Sequence, residues 1–126
     1  MSVLIRLKRG GCFGPCPIYK VRIHGNGTVI YQGEEFVRIK GTHKVKISLE
    51  KIKLLISEFE KTNFFQLKDR YMDIDTTCQP TVTTSITING KTKTIIHNYG
   101  DLSAPEKLIK LEDKIDEIIN TNQWIE

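Results

Sequence analysis

Two cysteines lie close together near the N-terminus, in the stretch RGGCFGPCPIYK that spans residues 9–20. The three residues between Cys12 and Cys16 fall within the spacing of zinc-binding cysteine pairs and permit a disulfide across a turn. A redox dithiol would need a lowered thiol pKa, usually from a helix N-terminus or a nearby cation. A strand pattern follows Pro17, so no helix is predicted there. The remaining interpretation is structural: Gly14 and Cys16 each precede a proline, which favours extended backbone and a rigid corner.

Zinc is an alternative that requires four ligands. Cys78 and His97 would complete a Cys₃His set with Cys12 and Cys16, but neither belongs to a second closely spaced pair of ligands. The first prediction is therefore that the protein holds no metal and no cofactor, with the two N-terminal cysteines structural or disulfide-bonded.

Two further patterns resemble ligand sites only weakly. Residues 8–11, KRGG, could form a backbone nest for a phosphate, but the Gly-Lys-Ser/Thr of a P-loop does not follow. Asp69, Asp73 and Asp75 offer oxygen ligands for a hard cation, although aspartates in loops usually stabilise turns. No nucleophile–base motif such as GxSxG or HExxH is present. We therefore predict that the protein is not an enzyme.

The positive charge is concentrated in the first part of the chain. Residues 1–48 carry nine Lys/Arg and two Glu, a net charge of +7, whereas residues 49–126 carry ten Lys/Arg and thirteen Asp/Glu, a net charge of −3. Such a field favours an anionic partner, although lysines on strands also simply protect sheet edges. The predicted binding residues are the basic residues of the strand-like segments: Lys20, Arg22, Arg38, Lys40, Lys44 and Lys46.

Alternating apolar residues predict the strands that carry these charges. Val3, Ile5 and Leu7 form one apolar face, and Tyr19, Val21 and Ile23 form the next. A three-residue turn at Gly25–Gly27 sets Val29 and Tyr31 beside Ile23 and Val21, which keeps one apolar face continuous. Val37 with Ile39, and Val45 with Ile47, predict two short strands, and a second hairpin turns at Asn89-Gly90.

Two amphipathic segments predict helices. Ser48 is a suitable N-cap for a helix whose apolar stripe is Leu49, Ile52, Leu55, Ile56 and Phe59. Ser103 and Glu106 form a capping-box pattern before a second helix, with an inward stripe of Leu108, Leu111, Ile115, Ile118 and Ile119.

These elements predict a single α+β domain over residues 1–126. The order β-ββ-ββ-α-ββ-α favours a mainly antiparallel sheet of about six short strands with both helices on one face. The other face would then be open. Lys20, Arg22 and His24 would lie on it, together with hydroxyl side chains of the second hairpin: Thr83, Ser85, Thr87, Thr92 and Thr94.

The N-terminal motif resembles a known family, the domain of unknown function 6438. Its signature is Cys-Phe-Gly-x-Cys-Pro-x-Tyr, a strand, a glycine-containing turn and Val-x-Tyr-x-Gly. The matching residues are Cys12, Phe13, Gly14, Cys16, Pro17, Tyr19, Gly27, Val29, Tyr31 and Gly33. The resemblance implies no activity, but many relatives look exported or adjoin repeat modules, which would suit a binding domain. Cys78 is not part of this pattern.

The N-terminus places its apolar residues before its charges, the reverse of a secretory signal. No apolar run approaches the roughly 20 residues that cross a bilayer. We therefore predict a cytoplasmic protein without membrane insertion, for which free thiols are the norm.

Three hypotheses for function follow. The first is a non-catalytic domain that binds a protein partner through the open basic, threonine-rich sheet face or the Cys12–Cys16 corner. The second is RNA, ribosome or other nucleic-acid binding, because Tyr19, Tyr31 and Phe36 alternate with basic residues as they do on RNA-binding sheets. The third is a thiol-redox or zinc protein that uses Cys12 and Cys16.

Overall fold

The computed structural model describes residues 2–11, 14–72 and 80–126. It forms an α+β fold with the strands β1 (Val3–Arg9), β2 (Ile18–His24), β3 (Thr28–Glu35), β4 (Gly41–Lys46), β5 (Arg70–Tyr71), β6 (Thr81–Ile88) and β7 (Lys91–Asn98). The helices are α1 (Leu49–Lys61), α2 (Glu106–Ile119) and α3 (Asn122–Ile125), with a 3₁₀ turn at Phe64–Gln66. No helix of the described ranges is long and apolar enough to span a membrane.

The strands form one sheet in the order β4-β3-β2-β1-β6-β7-β5. Every pairing is antiparallel except the short parallel pairing of β5 with β7. β1 lies at the centre because it pairs with both β2 and β6. The two predicted hairpins therefore flank the first strand of the chain.

The register of the first hairpin is as predicted. Val21 lies opposite Tyr31 and Ile23 opposite Val29, and Gly27 takes a positive φ of 97° in the turn. The second hairpin turns at Asn89 and Gly90, whose φ angles of 54° and 75° are those of a two-residue turn. In both hairpins, burial of one apolar face selects the register.

Both long helices cover the same face of the sheet. Their buried side chains join those of the strands in one apolar cluster. The α2 stripe is as predicted, with Leu108 and Ile115 fully enclosed, whereas Leu49 at the start of α1 is 60% exposed and does not belong to the core. The opposite face of the sheet carries the alternate, mostly polar residues of each strand.

The predicted strand at Val37 and Ile39 is wrong. Phe36 has a positive φ of 55°, and residues 36–40 leave the sheet to meet the C-terminal helix. The Ile39 amide donates to the Trp124 carbonyl at 2.9 Å, and Trp124 stacks on Tyr31 with ring centroids 4.7 Å apart. Contacts distant in sequence therefore override the local alternation.

The start of the second helix also differs from the prediction. Ser48 does cap α1, since its hydroxyl accepts a hydrogen bond from the Lys51 amide at 3.2 Å. Ser103 does not cap α2: its hydroxyl donates to Asp101 Oδ1 at 2.6 Å instead. Residues before a proline avoid the helical region, so α2 begins after Pro105, at Glu106.

Gly33 provides space for the bond that holds the 36–40 segment. The Tyr31 hydroxyl donates to the Ile39 carbonyl at 2.9 Å, and a Cβ on Gly33 would overlap both of these oxygens. We expect Gly33→Ala to lower the free energy of unfolding in urea by about 2–3 kcal/mol, through overpacking and the lost hydrogen bond.

The controls are Tyr31→Phe, which removes the hydrogen bond without steric overlap, and Gly14→Ala. Gly14 has open space around it, so its substitution should change stability by less than about 0.5 kcal/mol. Equal losses in Gly33→Ala and Gly14→Ala would contradict the packing argument.

Candidate functional site

The open face of the sheet brings together four cations from two neighbouring strands. Arg6 lies directly opposite Arg22, and Lys8 lies directly opposite Lys20. All four residues are exposed. We call Arg6, Lys8, Lys20 and Arg22 the cationic square.

Side chains of β6 and β3, polar except for Ile30, flank this square on both sides. Ser85 lies opposite Arg6, and Thr83 lies opposite Lys8. On the other side, Gln32 lies opposite Lys20 and Ile30 lies opposite Arg22. Together with Thr42 and Thr94, these side chains line a groove of about 600 Å³.

No carboxylate lines the groove among the described residues. The ion pairs of the described chain use other cations, such as Lys93 with Asp69 and Lys40 with Glu35. Like charges directly opposite each other on a sheet are destabilising. The square therefore has a positive field that is not neutralised by the described part of its own chain.

The structure divides the six predicted basic residues into two groups. Lys20, Arg22, Lys44 and Lys46 lie on the open face, since Lys44 pairs with Ile30 and Lys46 with Thr28. Arg38 and Lys40 do not, because they belong to the 36–40 segment. Arg38 donates to the Gln123 carbonyl, and Lys40 lies 3.6 Å from Glu35.

Arg6 and Lys8 were absent from the predicted site although they form half of the square. The sequence did indicate that Arg6 and Lys8 lie on the face opposite the core, because both alternate with Ile5 and Leu7 along β1. What the alternation could not indicate is that β1 is the central strand and lies beside β2.

The aromatic residues that suggested RNA binding do not lie on this face. Tyr19 and Tyr31 are 2% and 0% exposed and belong to the core under the helices. Phe36 is 56% exposed but lies in the segment that leaves the sheet. Among the described residues, the groove has no aromatic platform on which a base could stack.

The predicted corner contributes Cys16 and Pro17 to a smaller cavity of about 350 Å³ beside Arg9, Tyr19 and Tyr99. Cys16 is disulfide-bonded. Cys12, Phe13 and Cys78 lie outside the described residues.

The base of this cavity is a hydrogen-bonded network centred on Asp116. Its Oδ2 accepts from Arg9 Nε at 2.8 Å and from the Tyr19 hydroxyl at 2.9 Å. Its Oδ1 accepts from the Thr121 hydroxyl at 2.7 Å. Arg9 also donates to the Tyr99 hydroxyl at 2.9 Å. The network therefore joins β1, β2 and the segment after β7 to helix α2.

The electrostatics of this network hold Tyr19 and Arg9 in fixed protonation states. Burial, and then the neighbouring Asp116 charge, raise the pKa of Tyr19 despite the opposing effect of Arg9. Burial alone would lower the pKa of Arg9, but Asp116 and the two tyrosines outweigh it and raise that pKa. Tyr19 stays a neutral donor and Arg9 a permanent cation, which suits a fixed contact between helix and sheet.

His97, a candidate zinc ligand, is enclosed in the core. Its Nδ1 lies 3.0 Å from Glu112 Oε2, and both side chains are 1% exposed. Its Nε2 has no hydrogen-bond partner within the described ranges. In the part of the chain that the structure describes, no three His, Cys, Asp or Glu side chains are grouped to hold a metal.

The structure describes the KRGG stretch and one of the three aspartates that suggested ligand sites in the sequence. The Gly10 amide donates to the Thr81 carbonyl at 2.7 Å and is therefore not available to a phosphate at residues 8–11. Asp69 pairs with Lys93 at 2.6 Å. Asp73 and Asp75 lie outside the described residues.

The buried His97–Glu112 pair provides a test of how α2 is held. We expect Glu112→Leu to cost about 3 kcal/mol, because it leaves the enclosed imidazole unpaired. The double variant His97→Leu/Glu112→Leu should cost less than the sum of the two single variants. Urea unfolding of all four proteins measures this coupling, and strictly additive losses would argue against a direct pair.

The raised pKa of Tyr19 predicts that the protein loses stability at alkaline pH. The Tyr19 pKa is raised from an ordinary value of 10.0, so the unfolded chain loses the phenolic proton first. The stabilising contribution is complete below about pH 10 and decreases as pH rises above it. Tyr19→Phe should make this decrease shallower, by up to about 1.4 kcal/mol per pH unit. Urea unfolding between pH 8 and 11 measures how steeply the free energy of unfolding falls with pH in the wild type and in Tyr19→Phe. Equal slopes in the two proteins would show that Tyr19 does not cause the alkaline loss.

The comparison with known families agrees with the resemblance seen in the sequence. No curated protein matches the chain. The family model described as a domain of unknown function (DUF6438) matches residues 3–119, which span β1 to the end of α2. The chain therefore belongs to the DUF6438 family.

Proposed function

We propose that this protein is a non-catalytic interaction domain that binds an acidic segment of a partner protein on the open face of its sheet. The observation that carries the proposal is the cationic square in a groove that has no carboxylate among its described lining residues. Opposite charge across an interface raises the association rate and fixes the register of the partner.

The dimensions of the face suit an extended segment. Neighbouring strands are about 4.8 Å apart, so the four strands from β3 to β6 span roughly 14 Å. An extended peptide of about five residues would cross this distance. Its acidic side chains would meet Arg6, Lys8, Lys20 and Arg22, and Lys44 would extend the positive surface toward β4.

The position of the tyrosines favours a protein partner over RNA. Sheets that bind single-stranded RNA stack bases on exposed aromatic rings. Tyr19 and Tyr31 lie in the core instead, so the groove offers charge and hydroxyl groups but no stacking surface. A nucleic acid would have only its phosphates to contact.

A charge-removal experiment tests the proposal. A fluorescent peptide of alternating Asp and Ser is titrated with the protein, and binding is followed by polarisation at 20 and 200 mM NaCl. We expect affinity to fall at least tenfold at the higher salt, since exposed charges are screened. We expect Lys20→Gln/Arg22→Gln to weaken binding at least tenfold at 20 mM NaCl, equivalent to about 1.4 kcal/mol.

The matched control is Lys51→Gln/Lys53→Gln, which removes the same charge from exposed positions on α1. This variant should bind within about twofold of the wild type if the face matters more than the net charge. Equal losses in the two double variants, or no binding by the wild type, would refute the proposal. Tighter binding of an oligouridylate than of the peptide would favour the RNA alternative.

A further inference from the structure

We propose that the cationic square is a subsite for a phosphate monoester, so that the partner segment binds best when it carries a phosphorylated side chain. This inference rests on the proposed function and specifies the chemistry of the bound segment. It follows from the density of charge on the face, the donors around Arg6, and the repulsion within the square.

The density of positive charge exceeds what an acidic segment can neutralise. Directly opposite residues have Cβ atoms about 5 Å apart, and the two rows of the square are about 7 Å apart along the strands. Side chains on one face of an extended peptide also recur every 7 Å or so. About two carboxylates would therefore meet four cations.

A phosphate monoester supplies the missing charge at one position. It carries about −1.5 to −2 at pH 7 and presents three acceptor oxygens. One phosphorylated side chain and one neighbouring carboxylate would bring roughly −3 to a square of four positive charges. Charge complementarity therefore favours the phosphorylated segment over a segment that is only acidic.

The donors around Arg6 also suit a phosphate. The planar guanidinium forks of Arg6 and Arg22 match phosphate oxygens in pairs. Ser85, opposite Arg6, accepts a hydrogen bond from the Thr94 hydroxyl at 3.2 Å. The Ser85 hydroxyl therefore keeps its own proton to donate to another acceptor. A tetrahedral anion between the two arginines would accept a hydrogen bond from this hydroxyl as well as from the guanidinium groups.

The repulsion among the four cations of the square adds selectivity for phosphate. Arg6 faces Arg22 and Lys8 faces Lys20 without an intervening carboxylate from the described chain. A bound anion relieves this repulsion, and an anion shared between both arginines relieves it most. Removing one arginine should therefore leave the fold intact while it removes the preference for phosphate.

The experiment compares two labelled peptides of one sequence, Asp and Ser in alternation, with either phosphoserine or glutamate at the centre. Polarisation at 100 mM NaCl and pH 7.4 measures both affinities. We expect wild-type protein to bind the phosphoserine peptide at least tenfold more tightly. We expect Arg6→Gln and Arg22→Gln each to reduce the ratio of the two affinities to below threefold. The urea midpoints of both variants should equal or exceed that of the wild type.

Lys44→Gln is the matched control because it removes a cation of the same face outside the square. It should weaken both peptides by the same factor and preserve the ratio. Equal affinity for both peptides in the wild type would overturn the phosphate subsite while leaving the proposed function in place. If Lys44→Gln also abolished the preference for the phosphoserine peptide, the phosphate subsite would be overturned. If the wild type bound neither peptide, both the phosphate subsite and the proposed function would be overturned.

Discussion

The contact between Arg9 and Asp116 is the interaction on which the rest of the structure depends. Arg9 ends the central strand β1, and Asp116 lies on the inner side of α2. Because Asp116 also accepts from Tyr19 and Thr121, one carboxylate joins two strands to α2 and to the start of α3. The buried His97–Glu112 pair forms a second polar link one helical turn earlier. Both links hold α2 on the same face of the sheet as α1.

One-sided covering of the sheet explains the open basic face. Every strand alternates, so the side chains that do not meet the helices must point to the other side. In the middle of β1 and β2 these side chains are Arg6, Lys8, Lys20 and Arg22, and their alignment follows from the antiparallel register. The cost of placing like charges opposite each other is not offset by carboxylates of the described groove. A surface with this property is suited to an external anion.

Much of the fold could be predicted because the patterns are local. Alternation identified β1 and β2, and continuity of the apolar face selected the register of Val21 with Tyr31. The two misses have different causes, the first nonlocal and the second local. The 36–40 segment has strand-like alternation, but the Ile39 amide donates to the carbonyl of Trp124, which is distant in sequence. The Ile39 carbonyl accepts from the Tyr31 side chain rather than from a neighbouring strand. Ser103 has the right spacing for a cap, yet Pro105 delays the helix and Asp101 takes the serine hydroxyl.

The candidate site shows the same division between sequence and tertiary structure. The sequence by itself determined that one face of the sheet is mostly basic or polar, because the two-residue period depends only on the chain. It also determined the family, through residues 3–119. Only the tertiary structure decided that β1 lies between β2 and β6, which brings Arg6 and Lys8 to Arg22 and Lys20 and removes Arg38 and Lys40 from the face. Strand order depends on which apolar faces pack beneath the helices, and that packing is a property of the whole chain.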